Sequence, residues 1–195
     1  MFRLLRLFLV ALTISTLGAC QVPPPQQTLP ELSALQGRPW RLDVGRLELV
    51  SDYAPPLRDP NVEHLMPVSP SDAVQKWAQA RLQPAGRSGT ARLVIKDAAV
   101  VETPLNVATG VGGLFKKEQS ARYDAKLSVA FQILDERGMP VAEVETTASR
   151  SRTTPEDVTL NQRDRIWFEM VDAMLSDLNA QFDPLIGQYM ARWVM

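Results

Sequence analysis

The sequence predicts an α+β fold, a two-layer sandwich in which a mainly antiparallel sheet of about four strands carries two helices on one face. Residues 122–133 alternate between apolar and polar side chains, which is the period-2 pattern of a half-buried antiparallel strand. Two stretches, after Ser69 and after Thr154, place apolar residues at helical spacing behind capping residues. Because the chain has one cysteine, no intramolecular disulfide can form, and the hydrophobic core alone must stabilise the domain.

The first 19 residues have the composition of a cleaved export signal. Arg3 and Arg6 make the start positive, and the apolar run around them is too short and too interrupted to span a bilayer. The run ends in Leu-Gly-Ala-Cys, the pattern of a lipobox, with Cys20 as the lipid-attachment residue. We therefore divide the chain into a signal peptide, 1–19, a lipidated proline-rich linker, 20–39, and a single domain, 40–195.

The predicted linker and the charge of the mature chain narrow the possible partners. Residues 21–30 include four prolines and favour an extended conformation, which at about 3.1 Å per residue places the domain up to roughly 60 Å from the anchor. Loss of Arg3 and Arg6 leaves 19 basic residues against 22 acidic ones, a net charge of −3. This balance disfavours nucleic acid as a partner.

The first half of the domain begins with a strand at Trp40, in which the alternation changes phase at Gly45 and predicts a bulge. Five prolines between residues 51 and 70 exclude regular structure there. Ser69 or Ser71 then caps a helix that extends to about residue 82. The inward stripe of this helix contains an arginine among its apolar residues: Val74, Trp77, Ala78 and Arg81.

The second half predicts three strands and a helix. The strands cover 91–102, 122–133 and 142–148, with a tight turn at 135–138. Thr154, Pro155 and Asp157 form a strong helix start, and Pro184 breaks or kinks that helix. The predicted order is β-α-β-β-β-α, with both helices on one face and the other face wet or open to a partner.

Glu63 and His64, within the proline-rich loop, are the first candidate site. A histidine beside an acid can serve as a general base, but the chain offers no second histidine for a metal and no nucleophile motif. A solvated loop histidine is the simpler interpretation. Because prolines reduce the entropy of the unfolded loop, we expect this loop to hold a shape for docking a partner.

The second candidate site is the glycine-rich stretch 109–117, which contains Val111, Leu114 and Phe115 followed by two lysines. A phosphate-binding loop needs a helix directly after it, and here a strand follows. The stretch is either an ordinary mobile hairpin tip or a tip that contacts lipid headgroups or a protein groove.

These features together resemble an uncharacterised family of alphaproteobacterial lipoproteins. The resemblance covers most of the mature chain and rests on the lipobox, on 61–70 before the Trp77 helix, on 95–98 and on 149–153. The lipobox itself resembles that of bacterial lipoproteins, which implies that Cys20 carries diacylglycerol and an acylated amino terminus. Gln21 resembles the residue found at that position in enterobacterial lipoproteins of the outer membrane, which implies an anchor in that membrane, facing the periplasm. In architecture the chain also resembles the small auxiliary lipoproteins of envelope lipid transport or outer-membrane assembly.

Three functions are consistent with the sequence. The first is a non-enzymatic accessory or adaptor of an envelope transport or assembly complex, anchored in the membrane by acyl chains and bound to an envelope protein. The second is a carrier that holds one lipid between the sheet and the helices. The third and weakest is a hydrolase that uses His64. We expect no enzyme activity, no cofactor and no metal.

Overall fold

A computed structural model describes residues 28–105 and 119–195 of the protein. These residues form two helices and seven strands, most of them in one sheet. The elements are β1 (Trp40–Leu42), β2 (Arg46–Ser51), α1 (Pro70–Arg81), β3 (Leu82–Pro84), β4 (Thr90–Asp97), β5 (Val100–Pro104), β6 (Gln119–Leu134), β7 (Pro140–Pro155) and α2 (Leu160–Tyr189).

The 16-residue strand β6 is the centre of the main sheet. Strand β7 pairs antiparallel along one edge of β6, while β4 and β5 pair antiparallel with successive parts of the other edge. Strand β2 adds to β4 in parallel. The sheet is therefore four strands wide and mainly antiparallel, and the predicted α+β fold is confirmed. The predicted strand 91–102 is interrupted where Asp97 Oδ1 accepts a hydrogen bond from the backbone N–H of Ala99, at 3.2 Å.

The phase change at Gly45 marks a change of sheet, so the predicted single bulged strand is wrong. Strand β1 pairs in parallel with β3 in a separate two-stranded sheet, whereas β2 joins the main sheet. The backbone N–H of Gly45 donates to Ser88 and Gly89, and a Cβ at Gly45 would lie 3.1 Å from the carbonyl oxygen of Arg87. A close approach of two backbones separates the two strands.

The predicted domain boundary at residue 40 needs correction, because the folded part already includes residues assigned to the linker. Leu32 and Ala34 are buried in the core, and Leu29 packs against it. A 3-10 turn, Ser33–Gln36, is held to α2 by hydrogen bonds from the Ser33 backbone and hydroxyl to Asp172, at 2.7 and 3.0 Å. Nine residues separate Cys20 from Leu29, which limits the tether to at most about 30 Å.

Helix α1 begins where the sequence predicted. The Ser69 hydroxyl accepts a hydrogen bond from the backbone N–H of Asp72 at 3.1 Å, and Pro70 occupies the first turn.

Helix α2 begins later than predicted. Thr154 and Pro155 belong to the end of β7, because the β6 ladder continues to them. A second cap, Thr159, forms a complete capping box with Gln162 and starts the helix at Leu160. Two cap motifs thus lie close together, and strand pairing decides between them.

Helix α2 also continues through Pro184 to Tyr189, so the predicted break is absent. Phe182 and Ile186, on either side of the proline, are fully buried. Burial of each such side chain contributes about 1.5–3 kcal/mol, which offsets the cost of about 3 kcal/mol for proline in a helix. The segment after the helix joins the fold as well, since Met190 is buried and the backbone N–H of Met195 donates to Arg41 at 2.9 Å.

Aromatic side chains fill the space between the sheet and the helices. Trp77 of α1 stacks on Phe182 of α2 with ring centroids 5.4 Å apart, and Phe131 of β6 meets Phe182 edge-on at 6.4 Å. A second edge-on pair joins Tyr123 of β6 to Trp167 of α2. The helices therefore lie on one face of the sheet, as predicted.

Candidate functional site

Only Glu63 and His64 among the sequence-predicted site residues fall within the described part of the chain. The lipid-attachment residue Cys20 and the hairpin-tip candidates Val111, Leu114 and Phe115 lie outside the described residues.

Glu63 is buried, with 3% of its surface exposed. Its carboxylate accepts three hydrogen bonds: from the Tyr53 hydroxyl at 2.6 Å, from the backbone N–H of Val100 at 3.1 Å and from the Asn61 amide at 3.4 Å. Burial, followed by the bond to the Glu63 carboxylate, raises the pKa of Tyr53 well above its ordinary value of 10.0. Glu63 is thus a structural carboxylate that joins the start and the middle of the loop 52–70 to β5.

The loop 52–70 runs along β5 and not freely in solvent. The backbone N–H of Val62 donates to Val100 at 2.9 Å, and that of Glu102 donates to the carbonyl of Pro60 at 2.8 Å. Pro60 is therefore held opposite Glu102, two residues before β5 ends at Pro104. The middle of the loop is thus anchored to β5.

Glu63 and His64 were both expected to contact a partner, and this expectation is corrected for Glu63, because its side chain is buried. His64 is exposed and makes no side-chain hydrogen bond or ion pair with any described residue. Two leucines of the same loop are also exposed, Leu57 by 63% and Leu65 by 57%. Leu57 has φ 55°, a left-handed conformation that a bulky residue rarely adopts. The loop presents His64 and two leucines, while Glu63 holds it from below.

A network of ion pairs covers the face of the sheet away from the helices. This face was expected to be wet or open to a partner. We call it the charged face. Its pairs include Arg92–Glu48 at 3.0 Å, Lys96–Glu145 at 2.6 Å and Lys126–Asp97 at 3.1 Å. These charges neutralise one another, so a partner on this face would have to displace existing contacts.

A cavity of about 580 Å³, formed by the ends of both helices and by the chain entering β1, was not predicted as a site. Arg81, the last residue of α1, lines it with a side chain that is 6% exposed. Its guanidinium makes two long hydrogen bonds, both 3.4 Å, to the carbonyl of Ala34 and to Asp183 Oδ1. Its Nε is buried and has no hydrogen-bond partner among the described residues.

Asp183 connects this cavity to the core. Its Oδ1 also accepts from the indole N–H of Trp40 at 3.2 Å, and its Oδ2 accepts from Asn179 at 3.4 Å. Asn179 in turn accepts from the indole N–H of Trp77 at 2.9 Å. The sequence did contain one signal for this network, because Arg81 falls on the apolar stripe of its helix, where a charged residue needs a buried partner.

Neither helix within residues 28–105 and 119–195 combines the length and the apolar composition that a membrane crossing requires.

Comparisons with known proteins find weak likenesses to solved structures. No protein family and no curated protein matches the sequence. Similar solved structures include a minor lipoprotein from Acinetobacter baumannii, 19% identical with a TM-score of 0.36 over 72% of this chain and 89% of that one. A protein described as a lipoprotein from Caulobacter crescentus is 10% identical, TM-score 0.37, over 72% and 90%. A Xanthomonas campestris protein of the DUF330 family is 12% identical, TM-score 0.35, over 76% and 94%. These values place the chain in no family.

Proposed function

We propose that this protein is a lipid-anchored, non-enzymatic accessory subunit of a cell-envelope transport or assembly complex, facing the periplasm from the outer membrane. The anchor in this proposal is Cys20, at the end of the lipobox, and Gln21 favours the outer membrane. Three acyl chains hold a protein to its bilayer essentially permanently. With a tether of at most about 30 Å to Leu29, the domain acts close to the membrane surface.

The observation that carries the accessory role is the rigidly held loop 52–70. A buried carboxylate with three hydrogen bonds holds this loop, yet the loop exposes Leu57, His64 and Leu65 to solvent. Exposed apolar side chains on a fixed backbone lose little entropy when a partner covers them. A left-handed leucine costs about 1–3 kcal/mol, a strain that proteins retain mainly at functional positions.

The two alternative functions find less support. A carrier requires space for an acyl chain between the sheet and the helices, where Trp77, Phe131 and Phe182 pack against one another. A hydrolase requires a group that orients His64, and the neighbouring carboxylate of Glu63 is engaged by Tyr53 and Val100.

Site-specific photo-crosslinking in intact cells tests the docking loop. A photoreactive amino acid at position 65 should give one discrete protein adduct, because Leu65 lies in the proposed contact. The matched control is position 160, where a leucine is 69% exposed at the start of α2. The adduct at 65 should disappear with Cys20→Ala, which removes the anchor.

Equal crosslinking at positions 65 and 160, or a pattern unchanged by Cys20→Ala, would contradict the proposal. Density-gradient separation of the membranes gives an independent check of the anchor, with the wild type expected in the outer-membrane fraction.

A further inference from the structure

We propose that the cavity beside Arg81 is a binding site for a phosphate group, either free or on a lipid headgroup. This inference goes beyond the proposed function, and the residues of the cavity are not those of the loop 52–70. Only the headgroup source rests on the proposed anchor at Cys20, so the loss of that anchor would leave the free-phosphate site untouched. Arg81 is 94% buried, its two hydrogen bonds are long, and its Nε lacks a partner among the described residues. A buried guanidinium with unused donor capacity is costly unless something else satisfies it.

The charge of the cavity lining favours an anion. Arg38 and Arg41 line the cavity together with Arg81, and both are exposed without an ion pair to any described carboxylate. The lining thus contains three arginines and one described side-chain carboxylate, Asp183, which gives it a net positive charge. Arginine is the side chain best suited to phosphate, because its planar fork of donors matches two phosphate oxygens at once.

The backbone at Gly37 leaves space for the guanidinium group of Arg81. Gly37 lies directly against Arg81, and a Cβ at this position would collide with Nη1. The wall also has an apolar part, formed by Pro39, Trp40 and Val194. A volume of about 580 Å³ is within the usual range for small-molecule sites, and a mixed basic and apolar wall suits a phosphate attached to an apolar group.

The position of the cavity also fits a headgroup. Its rim begins at Gly37, eight residues after Leu29, where the tether from Cys20 reaches the domain. With that tether at most about 30 Å long, the cavity can meet the surface of the bilayer that anchors the protein. The lipid source and a free phosphate share the same chemistry at Arg81, and binding experiments can distinguish them.

The test uses the full chain, purified from its membranes in a non-ionic detergent. Calorimetric titration with inorganic phosphate measures the free anion. Native mass spectrometry with added phosphatidylglycerol, against phosphatidylcholine, measures the headgroup. Arg38→Gln with Arg41→Gln should weaken binding at least about tenfold, because each removes a charge-assisted contact while leaving the buried Arg81 in place.

The matched control is Arg137→Gln with Arg152→Gln, which removes two exposed charges that do not line the cavity, one in the turn at 135–138 and one in β7. Control binding should equal that of the wild type. Phosphate binding that is lost only in the Arg38 and Arg41 variant supports a free-anion site, and phosphatidylglycerol retention lost in that variant supports a headgroup site. Absence of binding to either probe in the wild type, or equal binding by variant and control, would overturn the inference.

Discussion

Glu63 and Arg81, the two buried charged residues within 28–105 and 119–195, are nearly equal in burial but differ in how well their hydrogen-bonding groups are satisfied. The Glu63 carboxylate is 3% exposed and accepts three hydrogen bonds, two of them at 3.1 Å or shorter. The Arg81 side chain is 6% exposed, with two bonds at 3.4 Å and an unpartnered Nε. A satisfied buried charge stabilises a structure, whereas an unsatisfied one has capacity left for a ligand.

The largest expected effect on the free energy of unfolding comes from a substitution of Glu63, the buried charge whose hydrogen bonds are satisfied. Glu63→Gln replaces one acceptor oxygen with a donor and removes the charge, so Tyr53 or Val100 loses its partner. We expect a loss of about 2–4 kcal/mol in the free energy of unfolding, measured by denaturant titration. Glu156→Gln, at an exposed position, is the control and should leave stability unchanged. A loss below about 0.5 kcal/mol for Glu63→Gln would show that the loop is held by other contacts.

A smaller effect on stability, together with an opposite effect on phosphate affinity, is expected from a change at Asp183, the partner of Arg81. Asp183→Asn keeps an acceptor for Trp40 but removes the only side-chain carboxylate described in the cavity lining. The free energy of unfolding without phosphate should fall by about 1–2 kcal/mol, because the buried Arg81 loses its counter-charge. The loss is limited because Asp183 is partly exposed and solvent screens the pair. Phosphate affinity should rise, since a repulsive charge is gone. A fall in both quantities would mean that Asp183 organises the cavity and that its charge does not oppose the anion.

The hydrogen bond from Tyr53 to Glu63 allows a pH-dependent test of how Glu63 holds the loop 52–70. Because the pKa of Tyr53 is raised in the folded protein, its contribution to stability is complete below the ordinary tyrosine pKa near 10 and is lost as the pH rises above that value. Tyr53→Phe should cost about 1–2 kcal/mol at pH 7 and progressively less above pH 10. The measurement is denaturant unfolding at pH 7 and pH 11. A cost that does not change with pH would contradict the assigned bond.

The smallest effect on stability is expected from a substitution on the charged face. Its exposed ion pairs are the comparison for the buried side chains of Glu63 and Arg81. The hydrogen bond from Lys96 lowers the pKa of Glu145, so the contribution of this pair is present above the ordinary glutamate pKa and is lost as the pH falls below it. Since both side chains are well exposed, Glu145→Gln should give no resolvable change in stability at pH 7. A change as large as that of Glu63→Gln would remove the distinction between buried and exposed charges.

Features that depend on short-range patterns could be predicted from the amino-acid sequence. Period-2 alternation placed β6, and the two candidate caps, Ser69 and Ser71, placed the start of α1 to within two residues. Five prolines predicted the long connection before α1, in which only a single 3-10 turn, Glu63–Leu65, forms. These predictions succeed because strand alternation, caps and proline restrictions act between residues only a few positions apart.

The buried polar contacts and the limits of the domain could not be predicted in this way, because they depend on contacts between residues far apart in the chain. Arg81 meets Asp183 across 102 positions, and Glu63 meets Val100 across 37. Neither partner is visible in a local pattern. The continuation of α2 through Pro184 and the packing of Leu32 into the core likewise depend on burial against distant residues, which supplies enough free energy to override local propensity.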